Sequence, residues 1–331
     1  RATSPVSTGP QETCSASQEA VGSSPDELLS AAHAALTASD GAEFDRLVDV
    51  AARHERGKRD GRPAAKRPKP STSEAQSAYL SKRLSYSDGL LRTTDGEAVM
   101  MDWEEGIMRH HAASMRRHVG ARPAPAVLNI GFGLGCVDEM IQQEFRGADQ
   151  LQHVIVEAHP DVLAHARSSG WDLRPGVRLE LGRWQEVVPR LVDSGATFDA
   201  VYYDTYAETY ADLRAFLLWL PRLLRADGVA AYFHGAAPTV AFFHAVYCRM
   251  AQLDVAELRS AAGRRYRLAF EPVELGPLSE ETWAGVPRKR YWADFPVYLA
   301  PRITEEPPAD DVSLAAPELQ PLADLFERHP V

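Results

Sequence analysis

The chain has 331 residues, a formal net charge of -10 and a hydrophobic fraction of 45%. This length and composition allow one large buried core with a smaller appendage. The acidic balance argues against nucleic-acid binding, and it favours encounter with a basic partner or a cationic substrate. Three scattered cysteines do not form a disulfide framework, and no apolar run reaches the roughly 18 to 20 residues that span a bilayer. We therefore expect a reducing compartment and no membrane span.

The N-terminal part of the chain divides by composition. Residues 1–25 are rich in Ser, Thr, Gly and Pro, which predicts disorder. Residues 26–56 predict two amphipathic helices, Asp26–Leu36 and Ala42–Ala52. The pair resembles one ankyrin-type repeat, although an isolated helical hairpin fits equally well because single repeats need neighbours to bury their faces.

A basic, proline-containing stretch follows at residues 57–75. A solvated linker and a nuclear-import signal both fit this composition. We expect residues 76–303 to form the main domain and residues 304–331 a C-terminal tail. Because the chain starts at Arg1 without a methionine, we leave open that a targeting peptide was lost.

The main domain alternates short apolar runs with amphipathic segments, which predicts a parallel sheet covered by helices on both faces. The last two strands lack an intervening helix, so we expect them to form an antiparallel hairpin at one edge. The predicted strands are Ala126–Ile130, His153–Glu157, Arg178–Leu181, Phe198–Tyr203, Val229–Phe233, Tyr266–Glu274 and Tyr291–Leu299. The predicted helices are Met101–Ser114, Cys136–Phe145, Pro160–Ser169, Trp184–Asp193, Tyr210–Arg225 and Thr239–Leu253.

A glycine-rich loop follows the first predicted strand of this sheet. It reads Gly-x-Gly-x-Gly from Gly131 to Gly135, and Glu157 ends the next strand 22 residues later. A dinucleotide fingerprint would place its third glycine where Cys136 stands. The loop instead has the pattern of adenosylmethionine-dependent methyltransferases. Glu157 is placed to accept hydrogen bonds from ribose hydroxyls, although strand-end acids are also common without a ligand.

Two further polar positions follow later strands. Trp184 comes directly after Arg183, and it could lie along an adenine ring or belong to the core. Asp204 ends the predicted strand Phe198–Tyr203, at the edge where open α/β sheets place their chemistry. Because no helix is predicted to start before Tyr210, capping is a weaker explanation for Asp204.

Four blocks in register resemble guanidinoacetate methyltransferase and its relative, the type IV protein arginine methyltransferase of fungi and plants. They are Val99–Met108, Asn129–Gly133, Gly182–Gln185 and Tyr203–Tyr206. Five more blocks and the N-terminal helices look closer to the protein arginine enzyme. These blocks are Tyr79–Tyr86, Glu157–Pro160, Leu220–Leu224, Val246–Cys248 and Arg290–Trp292.

The resemblance implies a class I methyltransferase fold, Rossmann-like, with S-adenosylmethionine as cofactor. It implies methylation of the δ nitrogen of an arginine in a protein, most readily a ribosomal protein, with the N-terminal helices helping to recognise it. We expect a cytoplasmic and nuclear protein. The oligomeric state is left open, with a monomer favoured. Methylation of guanidinoacetate to creatine and a noncatalytic scaffold remain the alternatives.

Site residues are carried over by position from the resemblance. The expected catalytic acids are Glu104 and Asp204, with Glu105 as a substitute in a shifted alignment. One departure is Phe233-His234-Gly235, where the family pattern has Asn before the glycine. The expected cofactor contacts are Tyr79, Met100, Met108, Gly131, Phe132, Gly133, Leu134, Gly135, Cys136, Val137, Glu157, Ala158, His159, Arg183, Trp184 and Asp204.

No metal site is expected, because the adjacent His110 and His111 cannot present both rings in one direction on a helix. The expected chemistry needs carboxylates instead. A guanidinium has a pKa of roughly 12.5 to 13.8, so its nitrogen lone pairs are delocalised. Two carboxylates would hold the guanidinium in one plane and stabilise charge when two cations meet.

Overall fold

A computed structural model describes most of the chain. The described residues are 24–38, 40–60, 72–87, 89–148, 150–276, 278, 280–284, 286, 292, 297–306 and 319–327. The predicted disorder of residues 1–25 lies outside them except for Ser24 and Pro25, as does most of the predicted linker. Among the described residues, no helix combines the length and the apolar character that crossing a membrane requires.

A seven-stranded sheet forms the centre of the protein. Its strands are β4 (Ala126–Ile130), β5 (Gln152–Glu157), β6 (Val177–Leu181), β7 (Phe198–Tyr203), β8 (Leu224–Tyr232), β9 (Tyr266–Glu274) and β10 (Val297–Glu305). They lie in the order β6-β5-β4-β7-β8-β10-β9. The first five are parallel, and β10 runs antiparallel to both of its neighbours. The predicted mostly parallel sheet with an antiparallel pair at one edge is confirmed.

Helices cover both faces of this sheet. Every residue of β4 and β7 is buried, which explains their continuous apolar runs. The helices around the sheet are α4 (Glu105–Val119), α5 (Cys136–Glu144), α6 (Pro160–Ser168), α7 (Trp184–Asp193), α8 (Tyr210–Leu217), α9 (Leu220–Leu223) and α10 (Ala241–Ala256).

A second, three-stranded antiparallel sheet precedes the main one and was not predicted. Its strands are β1 (Leu84–Ser87), β2 (Leu90–Thr93) and β3 (Ala98–Met101). A short 3-10 turn, Asp102–Glu104, joins β3 to α4. The helix predicted at Met101–Ser114 therefore starts later and runs further.

The predicted helix Tyr210–Arg225 is wrong. The helix ends at Leu217, a four-residue helix contains Pro221, and β8 begins at Leu224. Proline cannot continue a helix because its ring clashes with the preceding turn and it lacks an N–H donor. The next apolar residue, Leu224, then pairs with Phe198 of β7 and extends the strand that was predicted to start at Val229.

The last predicted strand, Tyr291–Leu299, is also displaced, because the observed strand runs from Val297 to Glu305. Residue 291 lies outside the described residues, and Trp292 is buried. The observed strand continues through Pro301, a residue that lacks an N–H donor for the sheet. Pairing with β8 covers only Arg302, Ile303 and Thr304, so Pro301 lies outside that register.

The N-terminal hairpin is part of the main core. Its helices are α1 (Pro25–Thr37) and α2 (Gly41–Asp60), and α3 (Thr72–Leu80) follows them. Phe44 is fully buried and packs against two other rings. Its ring centroid lies 6.4 Å from that of Phe242 and 5.9 Å from that of Phe326. The hairpin thus buries its apolar face against α10 and the C-terminal helix α11 (Ala323–Glu327) rather than against a second repeat.

Ion pairs reinforce that packing. Arg249 of α10 contacts Asp45 at 3.0 Å and Asp49 at 2.6 Å, and Arg56 contacts Asp254 at 2.9 Å.

The observed elements cross two predicted boundaries. Helix α2 continues four residues into the predicted 57–75 linker, and the predicted tail at residues 304–331 starts within β10 and contains α11.

Candidate active site

The glycine loop lies between the ends of β4 and β7. Gly131 has φ +96°, and a Cβ there would lie 1.8 Å from the carbonyl oxygen of Asp204. The amide of Asp204 donates to the carbonyl of Ile130 at 2.8 Å. Only glycine permits this approach, so the backbone places Asp204 directly beside the loop.

The other two loop glycines face side chains. A Cβ on Gly133 would lie 2.7 Å from Met100 Sδ, and one on Gly135 would lie 2.6 Å from the ring of Phe132. The amide of Leu134 also faces the Met100 sulfur at 3.3 Å. The loop is therefore packed against β3 of the small sheet.

Glu157 lies across the loop at the end of β5. Its carboxylate accepts hydrogen bonds from the amides of Phe132 at 2.9 Å and His159 at 2.6 Å. Burial raises the pKa of Glu157, and these hydrogen bonds oppose the rise. Because each carboxylate oxygen has two lone pairs, both oxygens retain capacity to accept a ligand hydroxyl.

A buried polar network supports the loop from below. The side-chain amide of Asn129 donates to the carbonyl of Gly131 at 2.7 Å and to the carboxylate of Asp138 at 2.8 and 2.9 Å. His153 Nε2 lies 3.1 Å from Asp138 Oδ1, and both side chains are fully buried. The network joins β4, β5 and the first turn of α5, which fixes the path of the loop.

Glu208 organises the opposite wall and was not singled out from the sequence. Its carboxylate accepts hydrogen bonds from Trp184 Nε1 at 2.9 Å, Thr205 Oγ1 at 2.7 Å and Gln185 Nε2 at 3.1 Å. The hydroxyl of Tyr203 and the side-chain amide of Gln76 also donate to it. One carboxylate thus joins α3, α7 and the end of β7.

Trp184 belongs to the core and also forms part of the cavity wall. It is 5% exposed and packs edge-on against Phe216 with ring centroids 5.4 Å apart. It also lines the cavity described below. Arg183 donates a hydrogen bond to Ser77 of α3 at 2.7 Å.

The expected acceptor acids reach the same cavity. Glu104 is 5% exposed in the turn before α4, and one of its oxygens accepts a hydrogen bond from the amide of Met101 at 3.2 Å. Glu105 is exposed and pairs with Arg109 at 2.5 Å on the helix surface. The geometry therefore favours Glu104 over Glu105 as the acid that faces a ligand.

The charge state of Asp204 is set by its surroundings. Burial, together with repulsion from Asp138, raises the pKa of Asp204 to about 7. A cation placed beside it would favour the charged form and lower that pKa. Burial likewise raises the pKa of Cys136 to about 11, so its thiol is protonated at neutral pH and not a nucleophile.

One cavity of about 840 Å³, including its open mouth, joins these walls. It is lined by twelve of the predicted site residues, Tyr79, Met100, Glu104, Gly131, Phe132, Gly133, Val137, Glu157, Ala158, Arg183, Trp184 and Asp204. Eleven further lining residues were not predicted, namely Gln76, Leu80, Val99, Ile130, Val156, Val162, Gly182, Gln185, Thr205, Tyr206 and Glu208.

The remaining predicted cofactor contacts do not line the cavity. They are Met108, Leu134, Gly135, Cys136 and His159. Met108 is fully buried and accepts a hydrogen bond from the Tyr202 hydroxyl at 3.3 Å. His159 caps α6 by accepting from the amide of Asp161 at 3.1 Å. Glu208 lies in the loop after the central strand β7, and a polar residue at such a position is a signal in the sequence for a cavity residue.

The adjacent histidines contact different partners. His110 Nε2 lies 3.0 Å from Glu271, whereas His111 is buried with its Nε2 3.3 Å from the Tyr298 hydroxyl. Burial lowers the pKa of His111 to about 3, so its ring is neutral at physiological pH. Their two rings do not converge on one point.

Comparison with known proteins identifies relatives. A family model described as guanidinoacetate N-methyltransferase matches residues 69–253, more than half of the chain. Protein arginine N-methyltransferase 2 of Aspergillus fumigatus is 39% identical over 67% of this chain and 49% of that protein. The protein of the same name from Yarrowia lipolytica is 35% identical over 68% of this chain and 46% of its own length. The chain spans about half the length of the curated relatives it matches.

Solved structures similar to the chain include a spermidine synthase from Thermotoga maritima, with 14% identity and a TM-score of 0.41 over 67% of this chain and 72% of that chain. A likeness of that size carries no argument about function. The strand order and the family match identify the class I methyltransferase fold. This chain belongs to the guanidinoacetate N-methyltransferase family.

Proposed function

We propose that this chain transfers a methyl group from S-adenosylmethionine to the δ nitrogen of an arginine in a protein substrate. The observation that carries the proposal is that Glu104 and Asp204 line the same cavity as the glycine loop and Glu157. The glycine loop and Glu157 suit an adenosyl group, and the two carboxylates suit a guanidinium. The names of the fungal relatives support arginine as the acceptor.

The residues on the donor side fit S-adenosylmethionine. Gly131 and Gly133 line the cavity, and Glu157 offers acceptor capacity to ribose hydroxyls. Trp184 and Tyr79 add ring surface to the cavity wall. When bound, the cofactor supplies an electrophilic methyl group on a positively charged sulfur.

The acceptor side is built to hold a cation. Glu104 and Asp204 would each accept charge-assisted hydrogen bonds from a guanidinium, which fixes its plane relative to the donor. The new bond forms between the methyl carbon and the arginine nitrogen while the carbon–sulfur bond breaks, with the electron pair returning to sulfur. The nitrogen then loses a proton, and the ionised carboxylate of Asp204 would be its acceptor in the cavity.

Positioning accounts for much of the expected rate. Holding two reactants in line can contribute about 7 to 11 kcal/mol of barrier reduction. Asp204 is placed by the backbone of the glycine loop, and Glu104 by the turn that follows β3. Both acids are therefore held by backbone rather than by flexible side-chain contacts alone.

Fragmentation mass spectrometry tests the proposal. The protein is incubated with S-adenosylmethionine and a ribosomal-protein fraction, and in parallel with guanidinoacetate. We expect δ-monomethylarginine in a protein product, with Asp204→Asn as the inactive control. Methylation of guanidinoacetate alone would instead support creatine formation, and absence of cofactor binding by calorimetry would support a noncatalytic scaffold.

A ribosomal protein as the substrate follows from the resemblance alone. We extend the proposal to this substrate, and to a cytoplasmic and nuclear location, as expectations. Labelling of proteins with a radioactive methyl donor, followed by separation of ribosomal from other proteins, tests the substrate class. Labelling confined to non-ribosomal proteins would contradict it.

A further inference from the structure

We propose that His234, His244 and Cys248 bind a Zn²⁺ ion outside the methyl-transfer site. One potential ligand atom from each residue lies within 4.8 Å of the others. The side chains are 1%, 2% and 0% exposed, respectively. Two imidazoles and one thiolate form a nitrogen and sulfur donor set that zinc prefers.

The fold brings the three residues together from two elements. His244 and Cys248 are four residues apart on α10, so their side chains lie on one face of that helix. His234 follows the end of β8 by two residues. Its Nε2 lies 3.2 Å from Cys248 Sγ, close to the spacing of two atoms bound to one metal ion.

Hydrogen bonding around the cluster favours metal ligation. His244 Nδ1 donates to the carbonyl of Ala236 at 2.7 Å, which leaves the lone pair of this ring on Nε2. Ligating histidines usually donate their other ring N–H to a carbonyl or carboxylate in this way.

Zinc would bind the two imidazoles through ring nitrogens and the cysteine as its thiolate, so binding would release the thiol proton.

One side of the cluster faces a more exposed segment of the chain. Residues 235–240 connect β8 to α10 and are partly or fully exposed, whereas the other sides meet the aromatic residues Phe270 and Trp292. Three protein ligands leave a fourth position, which water from this side could occupy. An ion bound here would tie the end of β8 to α10.

The cluster lies one layer behind the acceptor side of the cavity. The amide of His234 donates to the hydroxyl of Tyr298 at 2.7 Å, and repulsion from Glu104 and Asp204 is among the influences that raise the pKa of Tyr298. His234 also stands where the family pattern has asparagine. The inference does not depend on the proposed methyl transfer, because it concerns side chains outside the cavity lining.

Metal titration of the whole protein tests this inference. Protein freed of metal by a chelator is titrated with ZnCl₂ in a calorimeter and, separately, with CoCl₂ in a spectrometer. We expect one equivalent of zinc to bind and cobalt to give a thiolate-to-metal charge-transfer band. Absence of both signals in the unmodified protein would overturn the inference, whatever the variants do.

Variants assign the ligands. The cobalt band should disappear in Cys248→Ser and persist in Cys136→Ser and Cys14→Ser, which remove the other thiols. His244→Ala should weaken zinc binding at least about 100-fold, whereas His33→Ala on the exposed face of α1 should not change it. A band that survives Cys248→Ser in a folded protein, checked by circular dichroism, would contradict the assignment.

Discussion

Asp204 and Gly131 are in direct backbone contact, with the Asp204 carbonyl oxygen occupying the space that a Cβ on Gly131 would fill. The end of β7 and the start of the glycine loop are therefore one rigid unit. The residue proposed to grip the acceptor is placed by the loop proposed to hold the donor. This relationship explains how the two substrates would be kept in register.

Gly131→Ala should disrupt both halves of the site. A methyl group there would lie 1.8 Å from the Asp204 carbonyl oxygen, so the loop or the strand end must move. We expect at least about a tenfold loss of S-adenosylmethionine affinity by calorimetry, together with a loss of turnover. Gly170→Ala is the matched control, since Gly170 has φ +76° with no atom near the added Cβ. Equal effects of the two substitutions would show that backbone strain, rather than the Asp204 contact, is responsible.

Glu104→Gln and Glu105→Gln form a matched pair of neighbouring substitutions. Glu104 faces the cavity, whereas Glu105 pairs with Arg109 on the surface. We expect Glu104→Gln to reduce kcat/KM for the protein substrate about 100-fold or more with cofactor affinity preserved, because a charge-assisted hydrogen bond to the guanidinium is lost. Glu105→Gln should remain within about twofold of the unmodified protein. The reverse ranking would assign the role to Glu105.

The pH dependence of the reaction should report Asp204. Its pKa of about 7 in the free protein means that the carboxyl is protonated, and unable to grip a cation strongly, at lower pH. We expect the rate at low concentrations of both substrates, which reports the free protein, to fall about tenfold per pH unit below 7 and to level off above it. The residual activity of Asp204→Asn should lack this step. A profile that is flat down to about pH 5 would contradict the role of Asp204.

Phe44→Ala should destabilise the whole protein rather than the N-terminal hairpin alone. Phe44 is fully buried between α10 and α11. We expect the free energy of unfolding, measured in urea, to fall by about 3 to 5 kcal/mol in a single transition. His33→Ala on the exposed face of α1 should change it by less than about 0.5 kcal/mol. Two separate transitions would instead show that the hairpin is an independent domain.

Several strands of the sheet followed from local patterns. Short, mostly apolar runs predicted the strands Ala126–Ile130 and Phe198–Tyr203, and both have the predicted bounds. The errors fell at segments that contain a proline. Pro221 lies within the predicted helix Tyr210–Arg225, and Pro301 lies in β10 beyond the predicted end at Leu299.

The parts of the site that were missed depend on tertiary contacts. Glu208 follows a central strand, which is a signal in the sequence, but its donors in α3 and α7 are distant in the chain and become visible only in the folded structure. His234 is ten residues from His244, so the histidine and cysteine cluster becomes visible only when β8 is packed beside α10. The motif residues themselves were easier to place, because each follows a central strand directly.

The most direct measurement of the central claim is the position of the methyl group on the product. Fragmentation mass spectrometry of a protein substrate treated with this chain and S-adenosylmethionine separates δ-methylarginine from ω-methylarginine. Our account predicts δ-monomethylarginine, formed by the unmodified chain and lost in Glu104→Gln and Asp204→Asn. A methyl group on guanidinoacetate with none on protein arginine would contradict it.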